Sequence, residues 1–361
     1  MTAPTASRDS FGRLVNACAE LLRARLFDSP LNTALTVIVG LFLAWCVPKL
    51  IMWGLVDAVF LPDPEACRAG KGACWGFIVE KLRLMTFGTY PSAEQWRPLA
   101  VMVILLGLIG STMNLALWGR RLWMSWAIGV PLMWLLMRGG VPGLSHVPTE
   151  QWGGLPLTLI LSANGIVFSF PLAVLLALGR ASDLPAIRAL SIGFIELVRG
   201  VPLITVLFMA SLMIPLFLPE GIDIDKVLRA QVGFILFAAA YEAEVIRGGL
   251  QAVPRGQYEA ADALGLGYWH KMGFIILPQA LRIVIPPMVN TFIGFFKDTS
   301  LVIIIGLFDF LGAIRLAASD AEWRKFYVEG LIFAALVYFV FCYVMAAYAR
   351  HLERKLDTGR R

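Results

Sequence analysis

Runs of apolar residues long enough to cross a bilayer, separated by mostly short polar connections, constrain this chain more than any motif does. A hydrocarbon core of about 30 Å takes roughly 20 helical residues to span, and such runs fall near 31–58, 98–118, 122–137, 155–178, 202–218, 229–248, 281–297 and 328–350. Of the 361 residues, 58% are hydrophobic and 16% charged, and the mean hydropathy is +0.74. Soluble domains carry about 25% charged residues, so the composition supports an all-α polytopic membrane protein. The polar lead "MTAPTASRDSFGRLVNACAELLRARLFDSP" is too long and too mixed for a signal-peptide n-region. The first apolar run is therefore expected to be a retained span.

The net charge of +6 does not point to nucleic acid, because the basic residues form short clusters between apolar runs rather than one hydrophilic face. They gather at Arg8, Arg13, Arg23 and Arg25, at Arg120 and Arg121, at Arg180 and Arg188, at Arg247, Arg255, Lys271 and Arg282, and at Arg350, Arg354, Lys355, Arg360 and Arg361. Most of the others lie in the longer loops 59–97 and 311–327, which translocate with less regard to charge. The positive-inside rule then puts both termini in the cytoplasm. The expected parts are a cytoplasmic segment 1–30, an N-terminal membrane extension 31–150 with external loop 59–97, a membrane domain 151–350 and a cytoplasmic tail 351–361.

Two stretches are too long for one crossing. Residues 186–218 would form a helix near 50 Å long at about 1.5 Å per residue. "RGVP" is expected to break it, because Pro202 disfavours helical geometry at Val201. Residues 281–310 are expected to break at "KDTS", where Asp298 or Thr299 can cap a new helix. Broken helices at membrane depth point to a transport path.

The polar stretch "EAADALGLGYWHKMGFIILP", residues 259–278, interrupts the apolar pattern. Pro254 precedes a helix expected from near Gln257, with Glu259 in its first turn, where a carboxylate complements the helix dipole. Gly265 fits the left-handed position just past a helix end. A second helical turn is expected from Tyr268, closed off before Pro278. Ala260, Ala261 and Leu264 would then form a small, smooth contact face.

The spacing of Glu259, Ala260, Ala261, Gly265, Ile275, Leu277 and Pro278 resembles the EAA loop of ABC importer permeases. The flanking "IELVRGVPLITVLF" and "ILPQALRIVIPPMVNTFIGFFKDTSLVIIIG" resemble the polar amino acid permeases of that family over roughly 155–350. The external loop is similar to that of the larger, M-type permeases of the general L-amino acid transporter. The resemblance implies a type I ABC importer permease core of about five helices behind an extension of about three. It also implies a bacterial inner-membrane location and L-amino acid uptake, with 254–278 acting as coupling helices. The implied partners are a cytoplasmic ABC ATPase in two copies, a homologous second permease forming a heterodimer, and a periplasmic amino acid binding protein. ATP would be bound by the ATPase, because "RAGKGA" fails as a phosphate loop: no Ser or Thr follows Lys71. No cofactor is expected in this chain.

Several polar groups are candidates for function. Lys297, Asp298, Thr299 and Ser300 lie where a zwitterionic substrate needs a cation and an acceptor; a Lys297–Asp298 pair with Asp298 as a cap is the competing reading. Asn164, Ser162, Ser169 and Asn290 either bond neighbouring helices or meet substrate. Glu196 and Arg199, three apart, either pair at the bilayer surface or form an inner gate. Glu242 lies toward the inner end of its span, where a Glu244–Arg247 pair within the helix is the plain reading. Cys67 and Cys74 share the external loop and can close a short disulfide in an oxidising periplasm, geometry permitting. His146, His270 and His351 are too far apart in the topology for a metal site. Two rival classes remain. An ion-coupled secondary amino acid transporter working without an ATPase would leave the 259–278 pattern unexplained, and a membrane-embedded enzyme would need a convergent catalytic set, which is not visible.

Overall fold

The computed structural model describes residues 26–356 apart from 118, 220, 222 and 223. The basic lead with Arg8, Arg13, Arg23 and Arg25, Cys18, and the tail with Arg360 and Arg361 lie outside the described residues. The helices are α1 Pro30–Ile51, α2 Pro64–Ala69, α3 Gly76–Phe87, α4 Trp96–Met113, α5 Arg120–Arg138, α6 Gly154–Arg180, α7 Pro185–Arg199, α8 Leu203–Phe217, α9 Lys226–Ala252, α10 Arg255–Ala263, α11 Leu277–Asp298, α12 Phe310–Ala317 and α13 Tyr327–Leu356. The chain is an all-α polytopic membrane protein, and it divides into two compact units between Val79 and Glu80.

In the first unit, Ser29 caps α1 by accepting a hydrogen bond from the Asn32 amide, and Pro30 starts the helix where its missing N–H costs nothing. A π-helical turn, Met52–Val56, extends α1, and none of its residues is buried. A helix that is apolar all round suits lipid. Beyond it the chain folds back on itself: Trp75 Nε1 donates to the Gly54 carbonyl at 2.7 Å, and Val59 pairs with Cys74. Cys67 and Cys74 are joined as a disulfide with their Cα atoms 5.4 Å apart.

In the second unit, α4 and α5 share one hydrophobic core with α6, α8 and α9, including Val101, Leu105, Met133, Trp152, Leu157 and Phe234. Arg97 anchors this pair. Fully buried, it donates to the Leu136 carbonyl at 2.6 Å and the Ser145 carbonyl at 2.9 Å, placing a cation at the negative end of α5. Tyr90 donates to the Met137 carbonyl at 2.8 Å, and burial pushes its phenol up to about 12, which keeps it a neutral donor.

Helices α6 and α9 pack side by side and run parallel, because contacts at 161/231 and 169/242 advance together along both. Helices α9 and α11 touch backbone to backbone: a Cβ at Gly249 would sit 2.8 Å from the Ala280 carbonyl oxygen. The expected break at "RGVP" is present as a bend of 102° between α7 and α8.

Each of the eight expected spans is built mainly of helix, but among the described residues five segments are long and apolar enough to cross a membrane alone: Pro30–Val56, Ser92–Met113, Gly154–Arg180, Tyr268–Ile305 and Arg324–Lys355. The other three depart for physical reasons. At about 1.5 Å per residue, α8 is too short for a 30 Å core. Helix α5 is flanked by Arg120, Arg121 and Arg138, and α9 carries Gln231, Glu242 and Glu244 among its apolar residues. Gln231 and Glu242 are buried against protein rather than lipid.

The expected break at "KDTS" is absent. Helix α11 passes directly into the 3-10 turn Thr299–Ile305, and Asp298 makes no side-chain cap; the chain turns only at Gly306. Alkylation of the denatured chain without reductant, read by peptide mass, is expected to modify Cys46 and Cys342 and to reach Cys67 and Cys74 only after reduction.

Candidate functional site

Residues 254–278 form a hairpin of two helical arms rather than two free helices. Pro254 caps α10, which begins at Arg255, so Glu259 falls in the second turn and not beside the first-turn amides as expected. The helix ends in a Schellman motif. The Leu266 amide donates to the Ala261 carbonyl at 3.2 Å and the Gly265 amide to Asp262 at 2.9 Å, while Gly265 takes φ +69°, a conformation that costs glycine nothing. The second arm runs Tyr268–His270, then the π-helical turn Lys271–Ile276, and joins α11 with Pro278 in its first turn. It is therefore not closed off before Pro278, which stands where the π-helical turn passes into α11.

The arms are clamped together. Lys271 Nζ reaches Asp262 at 2.6 Å, Gln279 Nε2 donates to Gln257 at 3.2 Å, and Tyr258 donates to the Leu250 carbonyl of α9 at 2.9 Å. Burial raises the Tyr258 phenol above its usual value, again favouring a neutral donor. Ala261 turns inward and is buried, so it leaves the expected contact face. Ile275 and Leu277 are partly buried over a second core that includes Leu250, Met272 and Ile276. Ala260, Gly265 and Pro278 are exposed, as are Leu264 at 76%, Trp269 at 70% and Phe274 at 77%. The outer surface of the hairpin thus leaves large apolar side chains open among the exposed charges of Arg255, Glu259 and Asp262.

Beside the hairpin, five charged groups join three helices. Arg180, at the end of α6, reaches Glu196 and Glu244, each at 2.9 Å. Arg247 makes two bonds to Glu244, both 3.0 Å. Arg199 lies 3.6 Å from Glu244 and 5.5 Å from the Tyr241 ring. The expected Glu196–Arg199 pair is replaced by bonds between helices, because α6 and α9 bring Arg180 and Glu244 within reach of Glu196 and Arg199.

The remaining candidates do not converge. Lys297 and Asn290 are exposed, Asp298 and Ser300 half-buried, and Thr299 fully buried with its hydroxyl donating to the Phe296 carbonyl. No ion pair joins Lys297 to Asp298 among the described residues. Asn164 is buried with neither amide atom partnered. Ser162 bonds back to the Thr158 carbonyl at 2.9 Å, and Ser169 donates to Glu242 at 2.8 Å.

The sequence reading missed Arg180, Gln231 and Asp309. Asp309 caps α12 through the Gly312 amide at 2.9 Å and accepts from Tyr338 at 3.0 Å, with burial raising its carboxyl above the usual range. An Asp directly ahead of the apolar run 310–314 is a legible cap signal. Arg180 carried no local signal, since its partners lie on other helices.

A family profile described as "Binding-protein-dependent transport system inner membrane component" matches residues 169–358. The chain is 49% identical to the inner membrane amino-acid ABC transporter permease protein YhdY of Escherichia coli K12, over 94% of this chain and 93% of that one. It is 40% identical to the glutamate/glutamine/aspartate/asparagine transport system permease protein BztC of Rhodobacter capsulatus, over 94% of each. A solved amino acid ABC transporter, crystallised with histidines, is 30% identical with a TM-score of 0.50, covering 56% of this chain and 92% of that one.

The charge cluster orders two substitutions. Glu244→Gln leaves three guanidinium groups without their shared anion and is expected to cost about 1–3 kcal/mol. Glu196, with its side chain 56% exposed, is expected to cost at most about 0.5 kcal/mol as Gln. Thermal unfolding of the purified protein in detergent measures both; equal losses would contradict the central place of Glu244.

Proposed function

The chain belongs to the binding-protein-dependent transport system inner membrane components, and we propose that it is the pore-forming permease of an ATP-driven importer of L-amino acids. The amino-acid ABC permeases it resembles favour this over an ion-coupled carrier working without an ATPase. It is a multi-pass inner-membrane transport component. In this reading the 254–278 hairpin faces the cytoplasm, as do both termini, and ATP is hydrolysed on a separate ATPase present in two copies. A homologous second permease completes the pathway as a heterodimer. A periplasmic binding protein delivers the amino acid.

The observation that carries the proposal is the form of the hairpin. Its outer surface presents Ala260, Leu264 and Gly265 without cover, and exposed apolar surface of this kind marks a protein contact. Its inner side is bonded to α9 through Tyr258 and runs without a break into α11. An ATPase that changes shape would therefore move two membrane helices together. Two arrangements of those helices, favoured differently by ATP, are what alternating access requires. Glu259, Ile275, Leu277 and Pro278 belong to the same proposed ATPase-coupling loop, and Glu196 and Arg199, in the charged cluster at that end, are the proposed gate residues.

The amino acid path is proposed to pass Lys297, Asp298, Thr299 and Ser300, with Asn164 and Asn290 as further polar stations. A cation for the carboxylate and an anion for the ammonium are the chemistry a zwitterion needs.

Two outcomes test the reading in proteoliposomes holding the assembled transporter. Gly265→Asp adds a charge where a new Cβ meets nothing within 4 Å, at a left-handed backbone that strains aspartate less than most residues. The variant is expected to stay in the membrane while ATP hydrolysis and uptake become uncoupled; normal uptake would refute the docking role. The double variant Lys297→Ala, Asp298→Asn is expected to lose most uptake of labelled amino acid, and wild-type uptake would remove those residues from the path.

A further inference from the structure

Between α4 and α5 on one side and α6, α11 and α13 on the other runs an apolar groove with no established occupant. Two adjoining cavities of about 450 and 440 Å³ form it, sharing Trp126, Ile166, Val289, Phe292 and Tyr348. Along α11 it extends from Leu281 to Phe296, roughly 22 Å at 1.5 Å per residue. One bilayer leaflet of hydrocarbon is about 15 Å deep, so the groove has the length of an acyl chain.

Its lining has no polarity to offer. Trp126 Nε1 donates to the Thr112 hydroxyl at 3.0 Å and the Tyr348 hydroxyl to the Thr112 carbonyl at 3.3 Å. The Ser162 hydroxyl is taken by the Thr158 carbonyl. A ligand that asks for no hydrogen bonds fits such a surface.

The mouth has the opposite character. It lies at the end of the bundle that carries the 255–276 hairpin, where Gly119, Leu122, Leu281 and Leu352 line it. Arg120 and Arg121 stand between the first two, Arg282 follows the third, and Arg350 and Glu353 flank the fourth; all five side chains are exposed. Arg120 and Arg121 make no ion pair among the described residues. They also open α5, whose first turn has no acidic residue and no side-chain cap. Two cations at the positive end of a helix repel it, and a phosphate there would relieve both.

We propose that the groove holds one acyl chain of an anionic phospholipid from the leaflet on the hairpin side, with its phosphate at Arg120 and Arg121. Basic pockets between membrane helices select anionic headgroups in this way. The lipid would fill the seam between the α4–α5 pair and the rest of the second unit.

Native mass spectrometry of the full-length protein, titrated with dioleoyl phosphatidylglycerol or dioleoyl phosphatidylcholine, tests it. One phosphatidylglycerol per chain is expected to survive activation that strips phosphatidylcholine. Arg120→Gln with Arg121→Gln is expected to lower that occupancy roughly tenfold or more, while Arg138→Gln, at the other end of α5, leaves it unchanged. Equal retention of the two lipids, or no loss in the double variant, would overturn the proposal. Should the double variant fail to fold, Val167→p-benzoylphenylalanine in the otherwise native chain decides. A phosphatidylglycerol photo-adduct is expected, whereas no adduct, or capture of residues 30–56 or of a second permease, would overturn it.

Discussion

A polar group taken out of water is costly unless it finds a partner inside the protein, and in this chain the parallel contact between α6 and α9 supplies two such links. Gln231 donates to the Leu161 carbonyl at 3.3 Å, and Ser169 donates to Glu242, a carboxyl with no exposed surface. Lipid offers neither bond. These two links give the helices one register, and a shift along the axis by a single turn would break both. Helices α8, α11 and the α4–α5 pair assemble around an axis already fixed by hydrogen bonding.

At the end of the bundle that carries the hairpin, the same principle is met with charges. The Arg180–Glu244–Arg247 cluster joins α6 to α9, while Glu196 and Arg199 add α7 just before its sharp bend. The hairpin sits beside this joint and is bonded to α9 and continuous with α11. Helices α6, α7 and α9 are thereby tied by side chains at the end that carries the hairpin. Elsewhere the contacts are mostly apolar and without direction.

Most of the architecture was legible because its signals are local. Length and hydropathy placed the apolar segments, Pro202 marked the bend, and Gly265 marked a left-handed helix end. The misreadings share one cause, which is that local rules were applied where long-range packing decides. Asp298 has the chemistry of a cap, yet the chain continues through it because the turn at Thr299–Ile305 is held by buried Thr299, Val302 and Ile305. Ala261 belongs to a motif that suggested an outward face, but its position on α10 carries it onto the core. Glu196 chose Arg180, sixteen residues away, over Arg199 on its own helix. Sequence spacing alone shows neighbours along a helix and not those across a seam.

The contact at Gly249 has a consequence for movement. Where a side chain separates two helices, a change of rotamer lets them slide. Where the Gly249 backbone rests against the Ala280 carbonyl, with only the Val284 side chain beside it, little is available to re-pack, and sliding is more restricted than tilting. The contact lies only a few residues from the hairpin on both helices, so under the proposed coupling it would act as a fulcrum with a short arm toward the hairpin and a long arm away from it. A small displacement on the short side would then open a wider gap on the long one.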